Sequence, residues 1–177
     1  MTGVAAVVLA AGASTRFGSP KQAILLPRVL ERLQGAPVDE IVVVEGAYRL
    51  CGESPQRSVA RTVHCGQWER GPGASLRCGL AALGDGFEAA VVVLADGPRL
   101  APGAVARVVE RWRATGAGVV AASYGGERGH PLLVARSAWD EIPDEGLRAV
   151  EPQLVPCDDL GDPGDVDTPA DLEALGG

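Results

Sequence analysis

Apolar residues along this chain fall into short unbroken runs rather than alternating with polar ones. Val4-Ala5-Ala6-Val7-Val8-Leu9-Ala10 is the first, and Glu40-Ile41-Val42-Val43-Val44 and Ala89-Ala90-Val91-Val92-Val93-Leu94-Ala95 repeat its character. Runs of β-branched and small residues without alternation predict strands covered on both faces. Gly118-Val119-Val120-Ala121-Ala122-Ser123 is a weaker fourth run, and Pro131-Leu132-Leu133-Val134-Ala135 reads as a fifth. Between them, helical spacing of apolar positions predicts helices over Ile24 to Leu33, Ala74 to Leu83 and Gly103 to Arg113. Thr168 before Pro169 has the form of an N-cap followed by proline in the first turn, so a last helix is expected there. Strand and helix in alternation predict a single α/β domain over residues 1–177 with a mostly parallel sheet flanked by helices. In such sheets ligands bind beyond the carboxyl ends of the strands, which directs attention to the segments after Ala10 and after Ala95 and to the acidic residues near the end.

Composition narrows the class. Hydrophobic residues are 46% and charged residues 22% of the 177, an ordinary globular balance. The Val4 to Ala11 stretch is too short to cross a bilayer and has no basic region before it, so neither a membrane span nor a secretory signal is expected, and a cytoplasmic location is. Cys51, Cys65, Cys78 and Cys157 form no C-x-x-C pair, and are expected to be reduced thiols without a zinc site. The net charge of −7 argues against a nucleic-acid partner. It is unevenly placed: residues 137–177 hold twelve carboxylates and Arg148 as their single base, while residues 1–136 carry a net +4. A basic first half could bind polyphosphate while one or two tail carboxylates hold its metal; the plainer reading of most of those carboxylates is a solvated surface.

Candidate chemistry sits in four segments. Leu9-Ala10-Ala11-Gly12-Ala13-Ser14-Thr15-Arg16-Phe17-Gly18-Ser19-Pro20-Lys21 follows the first strand with small residues, which let backbone N–H groups approach an anion, and with two bases, Arg16 and Lys21. It reads as a polyphosphate cradle, and it is neither a Walker A loop nor a G-x-G-x-x-G fingerprint. Asp96 ends the third apolar run, where a carboxylate is costly unless it is paired or binds a cation; a Mg²⁺ ligand and a cap for the turn before Pro102 are both open on these residues alone. Asp165 and Asp167 alternate around Val166, so extended chain could turn both to one side of a metal, whereas Asp158, Asp159, Asp162 and Asp171 read as solvated. His130, in Gly129-His130-Pro131, fits a turn or core residue or a substrate contact, and no Ser or Cys is spaced to make it part of a triad.

These segments together resemble the MobA-like nucleotidyltransferases, which include the cytidylyl- and guanylyltransferases of molybdopterin cofactor maturation. The resemblance rests on the Leu9 to Lys21 signature and then, in order, on Gly73-Ala74-Ser75-Leu76-Arg77-Cys78-Gly79-Leu80, Leu94-Ala95-Asp96-Gly97-Pro98, Gly129-His130-Pro131 and Asp165-Val166-Asp167-Thr168-Pro169-Ala170-Asp171-Leu172. It implies a Rossmann-like fold of the glycosyltransferase-A type, with an NTP bound across the first half and an acceptor across the second. It implies further that the backbone of Leu9, Ala10, Ala11 and Gly12 holds the base, that Arg16 and Lys21 bind the phosphates and act in catalysis, and that Ser75 contacts the nucleoside. Asp96 would hold Mg²⁺, Asp165 or Asp167 would complete the metal site, and Gly129, His130 and Pro131 would face the acceptor. Three positions depart from the family: Gly97 stands where Gln or Met is usual, the Gly-x-Pro-Leu after Lys21 is missing, and Gly-Asp-x-Gly-x-Arg survives only as Asp144-Glu145-Gly146-Leu147-Arg148.

The expected reaction is transfer of a nucleotidyl group to a phosphorylated small-molecule acceptor with release of pyrophosphate. CTP is the expected donor, because Ala11 stands where guanylyl members tend to have glycine, and molybdopterin cofactor is the expected acceptor. The alternatives are the same reaction on a sugar phosphate, a methylerythritol phosphate or another small phosphate, and a nucleotide-binding protein without turnover.

Overall fold

The computed structural model describes residues 3–12, 21–50, 59–164, 166 and 168–175. One seven-stranded sheet organises them, in the order β3-β2-β1-β4-β6-β5-β7. Its strands are β1 (Gly3–Ala10), β2 (Glu40–Glu45), β3 (Arg61–His64), β4 (Phe87–Leu94), β5 (Val119–Tyr124), β6 (Glu127–Ala135) and β7 (Gln153–Pro156). The apolar runs became its centre: Val7 of β1 pairs with Val42 on one side and Val92 on the other, both in parallel. Parallel pairs also join β2 to β3 and β5 to β7. Such strands need cover on both faces, and four helices provide part of it: α1 (Lys21–Gln34), α2 (Pro72–Ala81), α3 (Pro102–Thr115) and α4 (Pro169–Ala174).

Two cores result, one on each face of the sheet. Val4, Ala6, Val8 and Ala10 pack with Leu26, Leu30 and Leu33 of α1 and Val105 and Val108 of α3. Ala5 and Val7 look the other way, toward Leu76 and Leu80 of α2 and toward Trp139, Ile142 and Leu147. Helix α1 starts at Lys21 and contains Pro27, which lies on its exposed face with Ala23 and Ile24.

Three features depart from the reading of the sequence. Strands β3 and β7 were not foreseen; they sit at the two edges of the sheet and carry no apolar run, because an edge strand is defined by the hydrogen bonds a neighbour offers. Strand β6 starts at Glu127 rather than Pro131 and runs antiparallel to β4 and β5. Its direction follows from Gly125 and Gly126, whose φ values of 61° and 84° make a two-residue turn of the type that closes hairpins. Cys65 and Cys78, expected as reduced thiols, form a disulfide with a Cα–Cα distance of 5.8 Å. Cys65, directly after β3, is buried in the core that α2 covers, and Cys78 of α2 packs against the same core, which brings the two together. Cys157 is free and buried, and Cys51 lies outside the described residues.

The antiparallel turn has a consequence for the site. Because Val92 of β4 pairs with Leu132 of β6, residues 128–130 run alongside and past the carboxyl end of β4. The chain after β7 returns to the same edge, where Arg99 N–H donates to the Pro163 carbonyl (3.1 Å) and Val166 N–H to the Asp96 carbonyl (3.2 Å). Helix α4 follows with a capping box: Thr168 Oγ1 accepts from Asp171 N–H at 3.2 Å, and the Asp171 carboxylate accepts from Thr168 N–H at 2.8 Å. Asp171 is therefore a capping residue rather than a merely solvated one. Asp158 and Asp159 are also tied down, Asp158 by Gly125 N–H and Asp159 by both terminal nitrogens of Arg107 at 2.6 Å.

Candidate active site

At the carboxyl end of β1 the chain leaves the sheet through Ala11 and Gly12, and the Ala11 carbonyl accepts from Ala47 N–H at 3.0 Å. Gln22, on the first turn of α1, donates from Nε2 to the Gly12 carbonyl at 3.3 Å. Beside them opens a cavity of about 350 Å³ whose lining includes Leu9, Ala11, Gly12, Trp68, Ser75 and Asp96. The structure thus brings together residues from β1, β4 and α2 that the sequence singled out separately. Ser75 is only 3% exposed, and its hydroxyl makes no hydrogen bond among the described residues, which leaves it free for a ligand in the cavity. Ala10 does not line the cavity; its side chain belongs to the core under α1. Arg16, and the side chain of Lys21, lie outside the described residues.

Asp96 is half-buried at the cavity wall. It does not cap α3, whose N-cap is Ala101 with no side-chain hydrogen bond. A hard divalent cation takes carboxylate oxygens at such a place. Asp165 and Asp167 lie outside the described residues, but Val166 between them is 2% exposed and hydrogen-bonded to Asp96. Among the described residues no three His, Cys, Asp or Glu side chains are grouped to hold a metal ion.

Of the residues expected to face the acceptor, Gly129 and His130 line two further cavities. One, of about 590 Å³, has Gly97, Arg128, Gly129, His130, Arg148 and Asp162 in its wall. The other, of about 430 Å³, shares Arg128, Gly129, His130 and Arg148 but is otherwise walled mainly by apolar side chains. Pro131 is buried in β6 and lines neither. Leu94 lines all three cavities, so they adjoin one another along the sheet edge.

Charge around His130 is mixed. Burial pushes the imidazole down to about 4, Arg128 pushes the same way, and Asp96 and Asp162 pull against them. It is neutral at physiological pH and cannot serve as a cation for phosphate. Tyr124 donates its hydroxyl to the His130 carbonyl at 2.8 Å, and burial raises its phenol well above the usual range.

The loop carrying Arg148 is clamped to the start of α2. Gly73 N–H donates to the Asp144 carbonyl at 2.8 Å, and the Asp144 carboxylate takes Arg77 and, at 2.9 Å, Arg70. Those hydrogen bonds, Arg77 first, hold its carboxyl below the usual range. Reading the sequence missed Gln22, Trp68, Arg128 and Arg148 as site residues. Arg148 carried a signal, as the lone base among the twelve carboxylates of the tail. Trp68 carried none, since it reaches the cavity from a segment distant in sequence, and Gln22, directly after Lys21, carries no charge to single it out.

The chain is similar to the Rv0371c protein of Mycobacterium tuberculosis, with 27% identity and a TM-score of 0.79 over 98% of this chain and 97% of that one. A structure of that protein in complex with manganese matches at 25% identity and a TM-score of 0.75, over 98% of both chains. The fold is shared with molybdopterin-guanine dinucleotide biosynthesis protein A of Archaeoglobus fulgidus, at 17% identity and a TM-score of 0.67 over 96% of this chain and 95% of that one. No curated protein matches in sequence. Residues 6–151 match the MobA-like NTP transferase domain, and the chain belongs to that family of nucleotidyltransferases.

Proposed function

We propose that the protein transfers CMP from CTP to a phosphorylated acceptor, with molybdopterin cofactor as that acceptor. The observation that carries the reading is the meeting of Leu9, Ala11, Gly12, Ser75 and Asp96 around one cavity at the carboxyl ends of β1 and β4. CTP is preferred to GTP on the family resemblance, in which guanylyl members tend to have glycine where Ala11 stands. In the reaction an acceptor phosphate oxygen attacks the α-phosphorus, a new P–O–P bridge forms, and the bond to the β-phosphate oxygen breaks to release pyrophosphate. The backbone from Leu9 to Gly12 and the Ser75 hydroxyl orient the nucleoside. Arg16 and Lys21 neutralise the phosphates as charge moves onto the leaving group, the kind of preorganised stabilisation that dominates such reactions. The acceptor phosphate is already ionised, so no general base is needed, and neutral His130 contacts the acceptor without taking a proton. Asp96 with Asp165 or Asp167 would hold Mg²⁺, and the manganese found with the Rv0371c protein agrees with a divalent ion. When bound, such an ion supplies charge neutralisation at the phosphates. Pyrophosphate release is to be measured with four NTPs against a panel of phosphorylated acceptors. CTP- and Mg²⁺-dependent release that is lost in Asp96→Asn, with thermal stability retained, is the expected result. Absence of release with every pair leaves nucleotide binding without turnover.

A further inference from the structure

Trp68, Glu69, Gly71, Pro72 and Ser75 line the cavity of about 350 Å³, and all five stand in the one stretch of chain, residues 66–77, that the Cys65–Cys78 disulfide closes on itself. The two ends of that stretch are held differently. Cys65 follows β3, is fully buried, and donates its N–H to the Glu45 carbonyl at 2.7 Å. Cys78 sits in α2 and is partly exposed. Between them the single helical turn Trp68–Arg70 buries no residue, and its backbone hydrogen bonds are local, Arg70 N–H to the Gln67 carbonyl at 3.0 Å and Gly71 N–H to the Trp68 carbonyl at 3.3 Å. Two side chains tie the turn to the rest of the fold. Trp68 packs over Gly46, where an added Cβ would stand 2.6 Å from the indole Cγ. Arg70 pairs with Asp144 at 2.9 Å near the surface, where an ion pair contributes little.

From this arrangement we infer that Cys65 and Cys78 form a reversible thiol–disulfide site, whose co-reactant is a low-molecular-weight thiol or its disulfide, and that the oxidised state orders the Trp68 side of the cavity wall for a ligand. The coupling to a nucleotide rests on the nucleotidyl-transfer reading; the exchange chemistry does not. Cys78, the exposed member, is the one an external thiolate reaches. Attack on Cys78 Sγ forms a mixed disulfide and breaks the Cys65–Cys78 bond, and the electron pair goes to Cys65 Sγ, which is then protonated. As a thiol it has an acceptor in place, the Ala74 carbonyl at 3.7 Å. A second thiolate attacks the external sulfur of the mixed disulfide and releases Cys78, so the protein gains two electrons and two protons while two small thiols leave as one disulfide. The same steps in reverse remake the bond from a small disulfide. With the bond open, residues 66–71 are held by one indole, one surface ion pair and local hydrogen bonds, the pattern of a segment that opens locally. Pro72 and Ser75 belong to α2, which Leu76 and Leu80 keep seated on the core. The change therefore falls on Trp68 and Glu69.

The test brings the full chain to equilibrium in glutathione buffers poised from reducing to oxidising. Differential alkylation with peptide mapping reads Cys65 and Cys78 individually, hydrogen exchange followed by mass spectrometry reads the amides of residues 66–71, and each of the four NTPs is titrated calorimetrically into both states. The pair is expected to open and close reversibly in the folded chain. In the reduced chain the amides of 66–71 should exchange roughly tenfold faster or more, those of β1 should be unchanged, and the NTP that binds should do so at least fivefold more weakly. Cys78→Ser should match the reduced chain in either buffer; should that variant fail to fold, the two states of the unaltered chain decide the matter alone. A bond that resists exchange until the chain unfolds, amides at 66–71 that ignore its state, or an NTP bound equally by both states would overturn the inference. If no NTP binds either state while the amides still respond, the nucleotide reading fails and the thiol site stands; NTP binding indifferent to the redox state gives the reverse.

Discussion

Helices α2 and α3 both open with Pro-Gly-Ala, as Pro72-Gly73-Ala74 and Pro102-Gly103-Ala104. Local propensity treats the two glycines alike, and alanine in a helix interior is worth roughly 0.5–1 kcal/mol over glycine. The surroundings differ. A Cβ on Gly103 would stand 3.3 Å from Cδ1 of Leu160, a side chain able to yield, whereas a Cβ on Gly73 would stand 1.7 Å from the Pro143 carbonyl oxygen and 2.8 Å from Gly146 N. Since a Cβ essentially never lies closer than 3.0 Å, the loop over Gly73 would have to move by more than 1 Å. That movement strains the Gly73 N–H to Asp144 bond (2.8 Å) and the Gly146 N–H to Pro143 bond (3.0 Å). Overpacking costs about 1–3 kcal/mol and a lost hydrogen bond about 1 kcal/mol. Set against the propensity gain, Gly73→Ala should destabilise by about 2–3 kcal/mol, while Gly103→Ala should range from neutral to slightly stabilising. Urea denaturation measures both. With a slope of about 2 kcal/mol/M, the Gly73→Ala midpoint should fall by about 1 M. The displaced loop bears Arg148, so the KM for the acceptor should rise as well. Matching midpoints for the two variants would show that the loop is not seated on α2 as described.

Three further outcomes are expected. In metal-free protein the His130 ring resonances should titrate near 4; the unfolded chain takes its proton near 6.5, so stability should be intact above pH 6.5 and decline as pH falls toward 4. A His130 midpoint near 6.5 by NMR would contradict the burial that depresses it. Asp165→Ala or Asp167→Ala should weaken Mg²⁺-dependent pyrophosphate release strongly and the exposed Glu151→Ala should not, whereas the Asp158/Asp159 pair is a poor neutral control because Asp159 holds Arg107; equal losses at all these sites would indicate a general field effect. Reduction of the Cys65–Cys78 bond, 13 residues apart in sequence, should cost about 3 kcal/mol and lower the Tm of the native chain but not of Cys78→Ser; a Tm indifferent to reductant would mean the thiols are free.

Much of the site was legible because its parts are local signals at strand ends. The buried runs located β1 and β4, and the residues that follow them, Ala11, Gly12 and Asp96, line the cavity proposed for the nucleotide. The acceptor side was less legible. Residues 128–130 reach it because β6 reverses at Gly125-Gly126, a hairpin signal present in the sequence that the apolar run beginning at Pro131 obscured. Arg128 spends its charge on backbone carbonyls and leaves the exposed cation to Arg148, a division of labour that no spacing rule expresses.

The sequence by itself determined the buried parallel strands, the helices between them, the cap at Thr168 and the kinship carried by its motifs. Each of these follows from residues that are neighbours along the chain, or a turn apart, so short-range propensity and periodicity suffice. Tertiary structure alone decided that Cys65 meets Cys78, that Arg148 borders the same cavity as Leu9, and that one Pro-Gly-Ala faces a yielding leucine side chain while the other lies beneath a carbonyl. Those outcomes depend on distances between segments far apart in sequence. Such distances are set by the packing of two cores on one sheet, a sum over many contacts that no local stretch contains.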